Sequence, residues 1–243
     1  QLEVILDNYK LTHNYLEDTD LTARDLKAII DLFKNCIYNV FGESFPDDEK
    51  DQLWGAITAV FKSWNGKRAK AYRRIEKIPS DWGTAVNIQT MVFGNMGEDS
   101  ATGVAFTRNP ATGENQFYGE WLANAQGEDV VAGIRTPNPL NKYSTTSESK
   151  NLPSLEEVNN KIYSALNTVQ TQLEKHYHDM QDLEFTIQNS KLWMLQTRTG
   201  KRNGAAAIRI AMDMLDERLI SEDEALLRIS PENIDEIMHD TVD

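Results

Sequence analysis

The sequence predicts an α+β protein, helical at both ends with an antiparallel sheet between. Three observations carry that reading. The first third repeats apolar residues at helical spacing, the middle holds short β-rich runs bounded by Gly and Pro, and helical periodicity returns after Gly200. The boundaries predicted on this basis are a helical subdomain over 1–78, a β-rich lobe over 79–199 and a helical linker over 200–243.

In chain order, "DLTARDLKAIIDLFKNCIYNVFG" sets Leu26, Ile29, Ile30, Phe33 and Ile37 at helical spacing. Thr22 with Asp25 forms a capping-box pattern, and Gly42 is the expected stop. A second helix follows Pro46, its face formed by Leu53, Ile57, Val60, Phe61 and Trp64, and ends near Asn65–Gly66. "KRAKAYRRIEK" reads as a short basic helix, either a solvated face or a holder of phosphate. "TAVNIQTMVFG", "TGVAFTRNP" and "QFYGEWL" read as strands, with a turn at "NPATGEN". "GEDVVAGIRTPNP" reads as short strand or loop. A long helix is expected from about Ser154 to His178, burying Leu155, Val158, Ile162, Leu166, Val169 and Leu173. A hairpin over Asp182–Gly200 follows. "AAAIRIAMDMLDERLI", "SEDEALLRI" and "SPENIDEIM" are then helices.

The chain has 243 residues, 40% of them hydrophobic, which is globular composition. No apolar run approaches the ~18–20 residues that span a membrane. The opening lacks the basic-then-apolar pattern of a secretory leader. A single cysteine, Cys36, excludes an internal disulfide and suits a reducing compartment, cytoplasmic or organellar. It is expected to be a buried core thiol. A formal net charge of −13 disfavours nucleic acid as a partner. His176 and His178, two apart at a helix end, do not share a helical face and read as capping and surface residues. His13 and His239 stand alone. The Gly/Ser/Thr-rich "FGNMGEDSATGVAFTRNPATGE" could turn backbone N–H groups toward a phosphate, but matches neither common phosphate-loop pattern.

The hairpin holds the strongest chemical pattern. Leu183, Phe185 and Ile187 alternate with Asp182, Glu184 and Thr186. A two-residue loop at Asn189–Ser190 sets Glu184 opposite Leu195. A three-residue loop sets Phe185 opposite Leu195, Ile187 opposite Trp193, Glu184 opposite Gln196 and Asp182 opposite Arg198, and is preferred because it gives a coherent apolar face. Asp182–Arg198 then reads either as a surface ion pair or as part of a phosphoryl-transfer site. In the second case the carboxylates and the amide supply hard oxygen ligands for Mg²⁺, and the guanidinium holds a phosphate oxygen.

Three long stretches carry a family resemblance. "GTAVNIQTMVFGNMGEDSATGVAFTRNPATGENQFYGEWLANAQGEDVVAGIRTPNP", "EKHYHDMQDLEFTIQNSKLWMLQTRTGKR" and "DQLWGAITAVFKSWNGKRAKAYRRI" resemble the nucleotide-binding domain of the pyruvate, phosphate dikinase family. The resemblance implies an ATP-grasp-type lobe. It also implies an activity converting ATP, phosphate and pyruvate to AMP, pyrophosphate and phosphoenolpyruvate through a phosphohistidine on a separate swivelling domain. Asp182, Glu184 and Gln196 match the residues that handle Mg²⁺ and the ATP phosphates, and Glu184, Gln196 and Arg198 the catalytic set. Arg198 matches a polyphosphate contact. Gln89 to Val92, with Met91, would be the hinge beside adenine, and Arg135 would reach the nucleotide. The intact enzyme is expected to be a homodimer. The glycine-rich segment with its ATP-binding lysine has no counterpart here, so a fragment is expected, with His239 in a linker rather than at the phosphorylated position. Phosphoenolpyruvate synthase, or a non-catalytic interaction module docking through the helical first third, are the alternatives.

Overall fold

The computed structural model describes every residue except Glu17, Ala132, Ile134 and 239–243. His239 therefore lies outside the described residues. The chain divides into two compact units, Gln1–Gln89 and Thr90–Asp243.

The first unit is helical: α1 (Leu2–His13), α2 (Ala23–Phe41), α3 (Glu49–Ser63) and α4 (Lys67–Ile75). The capping box predicted for α2 is present, with Thr22 and Asp25 exchanging hydrogen bonds, and Gly42 closes the helix at a φ of 75°. Two tyrosines from outside α2, Tyr9 at 3.0 Å and Tyr15 at 3.2 Å, also donate to the Asp25 carboxylate. The expected apolar faces are largely open. Ile29 is buried, but Leu26, Ile30, Leu53, Val60 and Phe61 are each at least 40% exposed. Cys36 is half-buried rather than part of a core.

In the second unit, one five-stranded sheet runs in the order β3-β2-β1-β4-β5. Its strands are β1 (Ala101–Phe106), β2 (Tyr118–Ala123), β3 (Asn138–Pro139), β4 (Gln181–Gln188) and β5 (Lys191–Thr199), and every pairing is antiparallel. Alternation along β4 turns Leu183, Phe185 and Ile187 to one face. There they pack with Ala101, Ala105 and Trp121 of the neighbouring strands against the helices α6 (Leu155–Val158) and α7 (Asn160–Tyr177). Gly103 is what lets β1 and β4 close at this point, because a Cβ there would lie 2.4 Å from the Phe185 ring. A second core joins Met180 and Phe106 to α8 (Gly204–Asp216) and α9 (Glu222–Arg228), and α10 (Pro231–Met238) packs on α8.

The structure departs from the sequence expectation at four further places. Residues 84–93 form no strand; Ile88 and Met91 are exposed, and β propensity without a ladder partner does not make a strand. Gly127–Val131 is a short helix, α5, whose first turn is held by Asp129 accepting from the Gln126 N–H at 2.8 Å. The long helix breaks at Asn159, whose side chain accepts from the Ile162 N–H and so caps α7, leaving Val158 57% exposed. The fourth difference is the register of the β4–β5 hairpin.

Candidate functional site

Both hairpin registers occur, one at each end. From Gln188↔Lys191 to Phe185↔Met194 the strands follow the two-residue loop, and from Glu184↔Gln196 to Gln181↔Thr199 they follow the other register. The expected Phe185–Leu195 and Ile187–Trp193 pairs are thus replaced by Phe185–Met194 and Ile187–Leu192. The turn explains why. Asn189 and Ser190 take φ of 49° and 60°, the paired left-handed geometry of a tight two-residue hairpin loop. A β-bulge on β5, with Leu195 as the extra residue facing the Glu184–Phe185 step of β4, then restores the polar register. Without that bulge Leu195 would oppose Glu184, and Gln196 would turn toward the core face.

The bulge leaves Asp182, Glu184, Gln196 and Arg198 together on the sheet face opposite α7. The Arg198 Nε–H donates to Asp182 Oδ2 at 2.7 Å, and its Nη2 lies 3.9 Å from Glu184 Oε1. One guanidinium therefore bridges two carboxylates that sit two residues apart on one strand, offsetting their mutual repulsion. The Asp182 side chain is 9% exposed, against 40% for Glu184 and 57% for Arg198. The site has a sunken anchor and an open rim. Among the described residues no three His, Cys, Asp or Glu side chains cluster as a metal site. Two carboxylates and an amide nevertheless suit Mg²⁺, which takes one or two carboxylates and fills its remaining positions with water and phosphate oxygens.

The same face continues across the sheet. Val104 separates Glu184 from Glu120 on β2, and Phe106 separates Asp182 from Tyr118. Glu120 lines a cavity of about 260 Å³ with Val104, Phe106, Tyr118, Pro139 and Ser144. Burial pushes its carboxyl above the usual range. In the sequence Glu120 carries one signal, the alternation of Tyr118, Glu120 and Leu122 against Phe117, Gly119 and Trp121.

The remaining residues singled out from the sequence are not joined to this cluster. Met91 and Val92 lie in the irregular segment before β1, and Gln89 ends the first unit. The Phe93 N–H donates to Gln188 Oε1 at 2.7 Å, tying that segment to the turn end of β4. Gln188 shares the face of Glu184, about 13 Å along the strand. Arg135 donates to the Asn124 carbonyl at 3.3 Å, just past β2 at the sheet end where Ala101 pairs with Ala123, away from Asp182. Among the described residues no helix is long and apolar enough to cross a membrane.

The family model for the pyruvate phosphate dikinase AMP/ATP-binding domain matches residues 18–151 and 140–219. The chain belongs to this family. It is 51% identical over 241 residues to a pyruvate, phosphate dikinase of Rhizobium meliloti (strain 1021), covering 99% of this chain and 27% of that protein. Against a pyruvate, phosphate dikinase of Clostridium symbiosum it is 52% identical, covering 98% of this chain and 26% of the relative. Against pyruvate, phosphate dikinase 2 of Zea mays the identity is 49% over 96% of this chain and 25% of the relative. The chain spans about a quarter of the length of the dikinases it matches. All four hairpin residues, Asp182, Glu184, Gln196 and Arg198, fall within the segment matched to this dikinase family.

Proposed function

We propose that this chain supplies the polyphosphate and Mg²⁺ face of the ATP site of a pyruvate, phosphate dikinase. The observation that carries the reading is the bulged hairpin, which aligns two carboxylates, an amide and a guanidinium on one open sheet face. Phosphoryl transfer needs charge neutralisation and positioning more than covalent chemistry, and this set provides both. In the proposal Asp182, Glu184 and Gln196 hold Mg²⁺, which when bound neutralises charge on the phosphates. Arg198, already held by Asp182, takes a phosphate oxygen with its outer nitrogens. The Phe93 N–H is anchored at the turn end of the same face, which supports an adenine hinge that includes Met91 and Val92; Gln89 joins it on the family resemblance alone. Arg135 belongs to this proposal only through a change of partner from the Asn124 carbonyl.

The larger reaction is proposed from the family. The phosphoryl group passes from ATP to a histidine on a separate swivelling domain and then to pyruvate, giving phosphoenolpyruvate, AMP and pyrophosphate. That reaction takes phosphate as co-substrate in a homodimeric enzyme of a reducing compartment. The family description and the relatives' names support this over a phosphoenolpyruvate synthase. The test is Glu184→Ala in the full-length enzyme. Labelled ATP should no longer phosphorylate the protein, with circular dichroism unchanged. Normal AMP production by that variant would remove Glu184 from the mechanism.

A further inference from the structure

The second concave feature lies wholly within the helical unit and contains none of the hairpin residues. A cleft of about 670 Å³ runs along α4, lined by Asn65, Lys67, Lys70, Arg73, Arg74 and Ser80, with Ala71 and Ile78 between them. Four of these residues are cations and none is a carboxylate, in a chain whose formal net charge is −13. Lys67, Lys70 and Arg74 recur at helical spacing and so share one face of α4.

Arg73 sets this cleft apart from a solvated basic helix. It is 4% exposed, its guanidinium lies 3.7 Å over the Trp64 ring, and its Nη1–H donates to the Trp64 carbonyl at 2.7 Å. Its buried Nε–H has no acceptor, and among the described residues it has no carboxylate partner. A buried guanidinium is as a rule paired, because desolvating a charge without a counter-charge is costly. The nine-residue helix α4 also begins at Gly66 with no side-chain cap, so its first N–H groups have no intrahelical or side-chain acceptor, and Asn65 and Lys67 at that end line the cleft. A buried charge with no carboxylate partner, two exposed lysines and an uncapped helix start all call for the same species.

We propose that the α4 cleft is an anion site that takes a phosphate group, with Lys67 and Lys70 as direct contacts and the buried Arg73 fixing the local positive potential. The site is independent of the ATP face proposed above.

The test is a ¹H–¹⁵N titration of the full chain at constant ionic strength, with inorganic phosphate, AMP and adenosine as separate probes. Saturable shifts are expected at the Lys67, Arg68 and Lys70 amides and at the Trp64 indole. Lys67→Ala/Lys70→Ala removes two exposed side chains, leaves the fold intact and should weaken binding at least about tenfold. Arg73→Met should do the same; should it fail to fold, the lysine variant still decides. Equal affinity for phosphate and AMP assigns the free ion as the source. Tighter AMP, with shifts from adenosine as well, assigns a nucleotide phosphate. No saturable shift at α4 with either phosphate or AMP overturns the proposal, as does unaltered binding in the lysine variant. Glu184→Ala should leave the titration unchanged, so failure here does not bear on the hairpin.

Discussion

At the residue scale, two carboxylates on one strand differ sharply in exposure. Asp182 is sunk beside Arg198, whereas Glu184 is open, and the proposed site therefore assigns Glu184 the ligand contact. Alternation along β4 made both legible, since a strand with one apolar side must present its acids on the other. Glu120 was not legible, because its neighbours gave no register for β2 and its place beside Val104 exists only once the sheet is assembled. Asp25 carries a second residue-scale prediction. It accepts hydrogen bonds from the Thr22 hydroxyl at 2.6 Å, the Thr22 backbone N–H at 2.9 Å, Tyr9 and Tyr15, and the Thr22 contacts first of all hold its carboxyl down to about 2. A carboxyl whose folded pKa lies below its unfolded value of ~3.9 stabilises fully above that value. Its contribution is then lost as the pH falls from ~4 toward 2. Thermal melts followed by helical circular dichroism should show this acid step in the parent chain, and Asp25→Asn should lack it while melting lower at neutral pH.

At the element scale, the hairpin turn and the bulge act together. The tight loop fixes one register, the bulge at Leu195 shifts to the other, and the polar set is aligned only because of that shift. The existence of the hairpin was legible, and so was the polar pairing. The bulge was not, because Leu195 is apolar and fits either register, and the Asn189–Ser190 loop lacks the glycine that would mark it. Ser190 holds a φ of 60°, which a side-chain-bearing residue adopts at a cost that glycine avoids. Ser190→Gly should therefore stabilise the chain by ~0.5–1 kcal/mol once the added backbone entropy is subtracted. Urea denaturation is the measurement. Destabilisation would show that the turn is not the tight left-handed pair. The break at Asn159 follows the same logic: hydrophobic spacing ran straight through it, but a capping side chain restarts the helix.

At the scale of the whole molecule, burial is uneven. The sheet unit holds both apolar clusters, with Leu183, Phe185, Leu166, Met180 and Met214 fully enclosed. In the helical unit α1 and α3 bury no residue completely. Protection against hydrogen exchange follows from buried contacts and paired strands. Amides of β1 and β4, central in the sheet, should exchange slowest, and those of α1 and α3 much faster. Equal protection of both would contradict this distribution. The α+β order of the chain was legible throughout, but the openness of the first unit was not, since apolar periodicity fixes a helix face without saying what covers it. The central claim concerns the other unit, and one structure tests it. The full-length protein crystallised with Mg²⁺ and a non-hydrolysable ATP analogue should place the polyphosphate against Glu184, Gln196 and Arg198, with adenine toward the Gln188 end. A triphosphate bound on the α7 side of the sheet, or one that leaves all four hairpin side chains in bulk solvent, would contradict it.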